Sequence, residues 1–427
     1  MRVRHSVLLS AFVIFTGFIS YPAQGQFSQQ GPKLVGTGGT GTQLQGTSVA
    51  VSADGSTAVV GGYPAHPVSY GEGDIDTDTG AAWVWTRSGG VWTQQGPKLT
   101  GSGAVGDSQQ GNSVAISADG NTAIVGGPDD LGAIGAAWIW TRTAGVWTQQ
   151  GNKLVGSDRV VNSAQGASVS LSADGNTALV GGPADNSGVG AAWVWTRTVG
   201  VWTQQGNKLV GAGAVGRAGQ GVSVSLSSDG NTAVVGGTFD NGFAGATWIW
   251  TRSGGVWSQQ GPKLIGGGAV GNAQQGLPVA VSGDGNTVVV GGQGDNNFGR
   301  ATWVWTRSGG VWTQQGTKLP GSGPFSLTTD GNLALSGTRV WKRSGGVWTQ
   351  QAQLVGTGAV GDAGIGSSVA LSSDGKTAIL GGPYDNNQTG AAWVFVFDPA
   401  SIPSASVWSF MALAFMLALL GATRTRA

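Results

Sequence analysis

Cysteine is absent from the 427 residues, histidine occurs twice and glutamate once. Without cysteine there is no disulfide framework, no thiol nucleophile and no thiolate metal ligand, so stability must come from packing. His5 lies in a leader-like segment, which leaves His66 alone for any chemistry that needs imidazole. No strand–turn–helix elbow presents a serine nucleophile. On these grounds the residues read as those of a non-enzyme. Charge is scarce too: Asp, Glu, Lys and Arg make up 10% of the chain, and the formal net charge is +1. With no basic or acidic run, the electrostatic footprint of a nucleic-acid binder is missing. Helical periodicity does not occur in the body of the chain.

Glycine, by contrast, is abundant at 80 residues, and the chain is repetitive. A turn aspartate followed by glycine recurs at Asp54, Asp119, Asp174, Asp229, Asp284, Asp330 and Asp374, and three successive intervals are 55 residues long. Such a period marks one supersecondary unit repeated in an array. In the unit at residues 168–209, SVSLS alternates small polar and apolar residues as a strand does. Asp174-Gly175 supplies a tight hairpin. TALVGG returns as a second strand, and residues 183–190 (PADNSGVG) are turn chemistry throughout. AAWVWT is a third strand rich in residues that suit a pleated surface, and VWTQQ at residues 201–205 is the fourth. The unit is a four-stranded antiparallel meander.

A sheet apolar on both faces must be covered by its neighbours. Seven such units stacked radially make a seven-bladed β-propeller; a linear solenoid is the rival, with repeats usually shorter and capped. The chain ends decide between them. The last unit stops after its third strand, AAWVFVF at residues 391–397. The segment QFSQQGPKL at residues 26–34 matches VWSQQGPKL at residues 256–264, so it can supply the missing fourth strand and close a ring.

Two units depart from the rule. The second loop of blade 1, residues 63–79, is ten residues longer than its counterpart at residues 183–189, and it carries Glu72, Asp74, Asp76 and Asp78 ahead of Gly80. These alternating aspartates make Asp74, Asp76 and Asp78 the candidate calcium ligands. The glycine comes one residue late and no bidentate glutamate follows, so a solvated acidic loop is the competing reading. Blade 6 is trimmed: its upstream linker shortens to PGSGP at residues 320–324, the loop after its second strand is gone, and Arg339 replaces the first tryptophan. Elsewhere Asp185-Asn186, Asp240-Asn241, Asp295-Asn296 and Asp385-Asn386 lie on one rim, where Asx-turn chemistry accounts for them without a ligand. The paired tryptophans of the third strands recur at fixed positions, as inter-blade packing requires, although paired aromatics also suit carbohydrate.

The pattern G-x-S-V-[AS]-L-S-x-D-G-x-T-A-x-x-G-G-P, at residues 166–183 and 366–383, resembles the FG-GAP repeat, the blade unit of the integrin α-chain propeller and of many bacterial surface proteins. The resemblance covers about residues 26–397. It implies a propeller fold, extracellular binding or adhesion, and a role for calcium. The calcium-binding FG-GAP loop has Asp-x-Asp-x-Asp-Gly between its first two strands, where this chain has one turn aspartate. One carboxylate cannot supply the ~6–8 oxygens calcium takes, so Asp54, Asp119, Asp174 and their equivalents are read as hairpin residues.

The expected organisation is a signal peptide at residues 1–25, a propeller at 26–398 and a C-terminal tail at 399–427. Arg2, Arg4 and His5 precede the apolar residues 7–19, and Ala23-Gln24-Gly25 offers small residues for cleavage. Ile402-Pro403, Trp408, an apolar run to Ala422 and the terminal Arg424 and Arg426 resemble an IPTL-type C-terminal sorting tail of Gram-negative bacteria, with Ser404-Ala405 where that family has Thr-Leu. An ordinary membrane anchor is the alternative. The chain is thus expected to be exported, to meet the membrane through its tail, and to end at the cell surface or in the medium. There it would bind an extracellular protein or glycan, or else serve as a structural envelope or matrix component without a specific ligand.

Overall fold

A computed structural model of the chain describes residues 26–39, 41–64 and 79–399. The leader, the candidate calcium ligands Asp74, Asp76 and Asp78, and the sorting tail from residue 400 onward lie outside the described residues. Residues 27–397 form one compact unit.

Seven antiparallel sheets follow one another along the chain, each with four strands in sequential order except where the ring closes; the fifth adds the short pair Leu319–Pro320. In blade 3 the strands are Ser168–Leu171, Thr177–Gly182, Ala191–Thr198 and Val201–Gln204. The register pairs Ser168 with Gly181, Thr177 with Thr196 and Trp195 with Gln204. Burial falls from the middle of the blade outwards. The second strand is buried along its whole length and the fourth alternates exposed with half-buried positions. That is why TALVGG reads as a continuous apolar run while VWTQ alternates.

The first hairpin of each blade is held by its aspartate. The Asp174 carboxylate accepts the Ser172 hydroxyl at 2.5 Å and the Asn176 N–H at 2.9 Å, while the Ser172 oxygen accepts the Thr177 N–H at 2.9 Å. Gly175, at φ +67°, makes the turn in a conformation that a β-carbon would strain. Partial burial pushes the Asp174 carboxyl up, but the bonds from Ser172 and Asn176 outweigh it and hold its pKa below the ordinary 3.8. The direction is the same at Asp54, Asp119, Asp229, Asp330 and Asp374. The aspartates are hairpin residues, as expected.

The ring closes where the chain ends predict. Gln26–Gln29 pairs as the outermost strand on Ala391–Asp398. Beyond it the Gln30 N–H donates to Val394 O at 2.8 Å and the Leu34 N–H to Ala392 O at 2.7 Å. Phe27 meets Phe397 edge-on, with ring centroids 5.4 Å apart. Each innermost strand touches those of both neighbouring blades, round to Ser368–Leu371 against Ser48–Val51.

The cores lie between blades. At the seam of blades 2 and 3, Ile124, Ile139 and Leu154 meet Val169, Val180, Trp193 and Trp195. Trp83, Trp138, Trp193, Trp248, Trp303 and Trp393 are fully buried. Each removes about 150–250 Å² from water, up to ~4–6 kcal/mol at ~25 cal/mol/Å². Their indole N–H groups donate to the preceding linker, as from Trp138 to Ser102 O at 2.9 Å and from Trp193 to the Asp158 carboxylate at 2.7 Å. Linker glycines such as Gly101 and Gly156 lie so close to the rings that a β-carbon would overlap them. Packing is thus the role of these tryptophans.

A polar clasp joins each regular pair of blades on the outer side. Arg197 donates to Asn176 in its own blade at 2.9 Å, and to Thr122 and Gln150 of the blade before, both at 3.2 Å. Its guanidinium lies 5.4 Å from the centre of the Trp202 ring, and the Trp202 N–H also reaches Gln150, at 2.9 Å. Arg87, Arg142, Arg252 and Arg307 reach across to the preceding blade in the same manner.

Candidate functional site

Because each blade runs up and down, its Asp-Gly and second hairpin turns fall at one end of the ring. The loops after the second strand, together with the linkers, fall at the other. Five aspartates of that loop end are buried: Asp130, Asp185, Asp240, Asp295 and Asp385. The Asp185 carboxylate accepts Lys208 Nζ at 2.6 Å and the Val160 N–H at 2.7 Å. Asp130 does so with Lys153 and Val105, Asp240 with Lys263 and Val215, Asp295 with Lys318 and Val270, and Asp385 with Lys33 and Val360. Each carboxylate therefore ties the loop to the linker before it and to the segment after the fourth strand, which corrects the Asx-turn reading of Asp185, Asp240, Asp295 and Asp385.

The residues that follow adopt left-handed backbone. Asn186, Ser187 and Gly188 have φ of +49°, +57° and +90°. Asn and Gly tolerate this region best, since a non-glycine residue costs roughly 1–2 kcal/mol there. The asparagines are explained by backbone conformation and the aspartates by the buried ion pair. Sequence reasoning missed the pair, although its signal was present: a Lys lies 23 residues after each such aspartate within blades 2 to 5.

These anchored loops present apolar surface. Val105, Val215, Val270 and Val360, whose amides the aspartates hold, are about half exposed, as are Phe239 and Phe243, and Phe298 is 74% exposed. Phe239 and Phe243 meet edge-on at 5.4 Å. Shallow depressions flank them: one of about 850 Å³ against Pro183, Ser187 and Arg217, and one of about 570 Å³ between Phe243 and Phe298 over Asn272 and Gln274.

Blade 6 interrupts the pattern. No aspartate loop follows Leu333–Ser336, and Gln353 stands where blade 3 has Lys208, so both partners of the ion pair are gone together. That is the tolerable way to lose it, because either partner alone would be left unpaired. Arg339 pairs with Ser336 at the position where Trp193 pairs with Val180. Between blades 5 and 6 a cavity of about 180 Å³ opens, walled by Val304, Leu319, Phe325, Trp341 and Trp348, with Ser322 and Arg339 as polar members. The clasp is incomplete here: Gln315 Oε1, Trp348 Nε1 and one Arg343 nitrogen are buried without a partner. Arg343 still reaches Thr287 at 3.0 Å. Among the described residues no three histidine, aspartate or glutamate side chains converge as a metal site.

A closed ring of seven four-stranded blades defines a seven-bladed β-propeller. No protein-family profile matches the chain, and no curated protein matches it in sequence. Solved structures resemble the chain. Hydrazine synthase of Kuenenia stuttgartiensis matches at 13% identity with a TM-score of 0.52, over 86% of this chain and 99% of that one. A periplasmic gluconolactonase of Pseudomonas aeruginosa matches at 16% identity with a TM-score of 0.46, over 73% of this chain and 86% of that one. At 13% identity the likeness to hydrazine synthase is one of fold. It corrects the non-enzyme reading of the sequence: hydrazine synthase is an enzyme by name and is built on this architecture. The fold therefore gives no ground for excluding catalysis.

Proposed function

We propose that the propeller is an extracellular binding module that docks a protein partner on its loop-bearing end. The observation that carries this is the cluster of Phe239, Phe243 and Phe298 held in the open on loops that buried ion pairs anchor. Exposed apolar clusters rimmed by polar groups mark interaction surfaces, and aromatic residues are enriched in them. A glycan partner is supported less well, because the first tryptophan of each pair, which invited that reading, is fully buried in six blades. A featureless spacer would have no use for the cluster. The FG-GAP resemblance, the leader at residues 1–25 and the tail at residues 399–427 support export and retention at the cell envelope. Calcium at Asp74, Asp76 and Asp78 belongs to the same proposal, and a melting temperature unchanged between calcium and chelator would remove it.

The test is an array of extracellular and matrix proteins probed with the purified protein and with a Phe243→Ser/Phe298→Ser variant. The reading expects at least one protein to bind the parent and to bind the variant at least tenfold more weakly. An array that stays silent, or partners that ignore the substitutions, would overturn it.

A further inference from the structure

The cavity between blades 5 and 6 lies where the other blades keep an indole. In six blades the first tryptophan of the third strand fills the space between its strand and the preceding linker, with linker glycine on one side and an acceptor for the ring N–H on the other. In blade 6 the side chain at that position is Arg339, and the linker is only Leu319 to Pro324. The ring is gone and its space remains. At about 180 Å³ it exceeds the ~150 Å³ apolar cavity that is known to take benzene when a core is truncated.

Its chemistry is that of a site for a flat ring with a polar edge. Phe325, Trp341 and Trp348 supply aromatic walls, and Leu319 an aliphatic one. Ser322 Oγ is buried with no hydrogen-bond partner, so a polar group on the cavity wall is left for a ligand's polar edge to meet. Arg339 is exposed in the cavity lining and its side chain forms no hydrogen bond or ion pair among the described residues, which leaves its guanidinium fork available to a carboxylate.

We propose that this cavity binds a small planar aromatic acid, its ring in the space of the missing indole and its carboxylate on Arg339. The site is independent of the phenylalanine cluster. The probe is indole-3-acetate, titrated calorimetrically into the purified protein beside uncharged indole and acetate alone. Indole-3-acetate is expected to bind one to one, indole at least tenfold more weakly, and acetate not at all. Arg339→Ala should lower affinity for the acid to that for indole. Arg339→Trp, which restores the residue of the other blades, should abolish binding of both. Should that variant fail to fold, Ser336→Leu fills the same cavity from the second strand and should do likewise. Failure of the unsubstituted protein to bind the acid overturns the proposal, as does undiminished binding by the filled variants. Neither result bears on protein docking at the loop end.

Discussion

The seam between blades 2 and 3 and the seam between blades 5 and 6 are built from the same repeat and differ in almost every contact that matters. The first has a buried apolar cluster contributed by both blades, a tryptophan locked against a linker glycine, and an arginine that reaches both Thr122 and Gln150. At the second, among the described residues, no buried apolar cluster spans the two blades, the tryptophan is replaced by Arg339, and Gln315 finds no donor for its oxygen. A blade's features come as a set. Removing the loop removes Asp and Lys together, and removing the tryptophan lets the linker shorten. The cavity is what remains once the set is gone.

The largest contrast should come from one structural position in the two seams. Trp193→Ala removes a fully buried indole and should cost ~3–5 kcal/mol. Arg339→Ala removes an exposed side chain and should stay within ~0.5 kcal/mol. Denaturant midpoints of the two variants check this, and equal losses would show that position 339 carries packing of its own. Next comes the ion pair. Lys208→Met leaves Asp185 buried and uncompensated, at about 3 kcal/mol, and Asp185→Leu/Lys208→Met should recover part of that loss, since blade 6 tolerates the absence of both. A double substitution worse than the single one contradicts the argument. Smaller still is the clasp. Arg197→Ala should cost ~1.5–3 kcal/mol, and Arg343→Ala less, because the glutamine link is already missing at its seam.

Acid should act on the two seams alike. The turn aspartates have folded pKa values below 3.8 in blade 6 as in blade 3. Their contribution is full above the unfolded pKa and is lost as pH falls through the lower folded one. Melting temperatures should therefore decline below about pH 3.8, and serine-to-alanine changes at Ser117 and Ser172, which take away a bond that lowers the folded pKa, should lower stability at neutral pH and make that decline shallower.

Much of this comparison was legible in the residues. The Asp-Gly turns gave the blade count, and the complementary ends at residues 26–34 and 391–397 gave the closure, because both are local patterns that a meander must satisfy. Blade 6 was visibly trimmed at residues 320–324 and at Arg339. What that trimming produces was not legible, since a cavity depends on which side chains fail to meet across two blades. The aspartate–lysine pairs escaped for a related reason: Asp185 looks like a turn residue beside Asn186, and only the fold shows its carboxylate turned inwards to Lys208 and Val160. The shape of the surface patch likewise required the left-handed turns that lift Phe243 and Phe298 outwards.

The seam between blades 5 and 6 is expected to be the weak one of the ring. Amide hydrogen exchange followed strand by strand in the native protein tests it directly, because exchange reports local opening free energies. Leu333–Ser336 and Arg339–Ser344 should exchange well before Thr177–Gly182 and Ala191–Thr198, and indole-3-acetate should slow the former only. Uniform protection round the ring, or first exchange in blade 3, would contradict the claim.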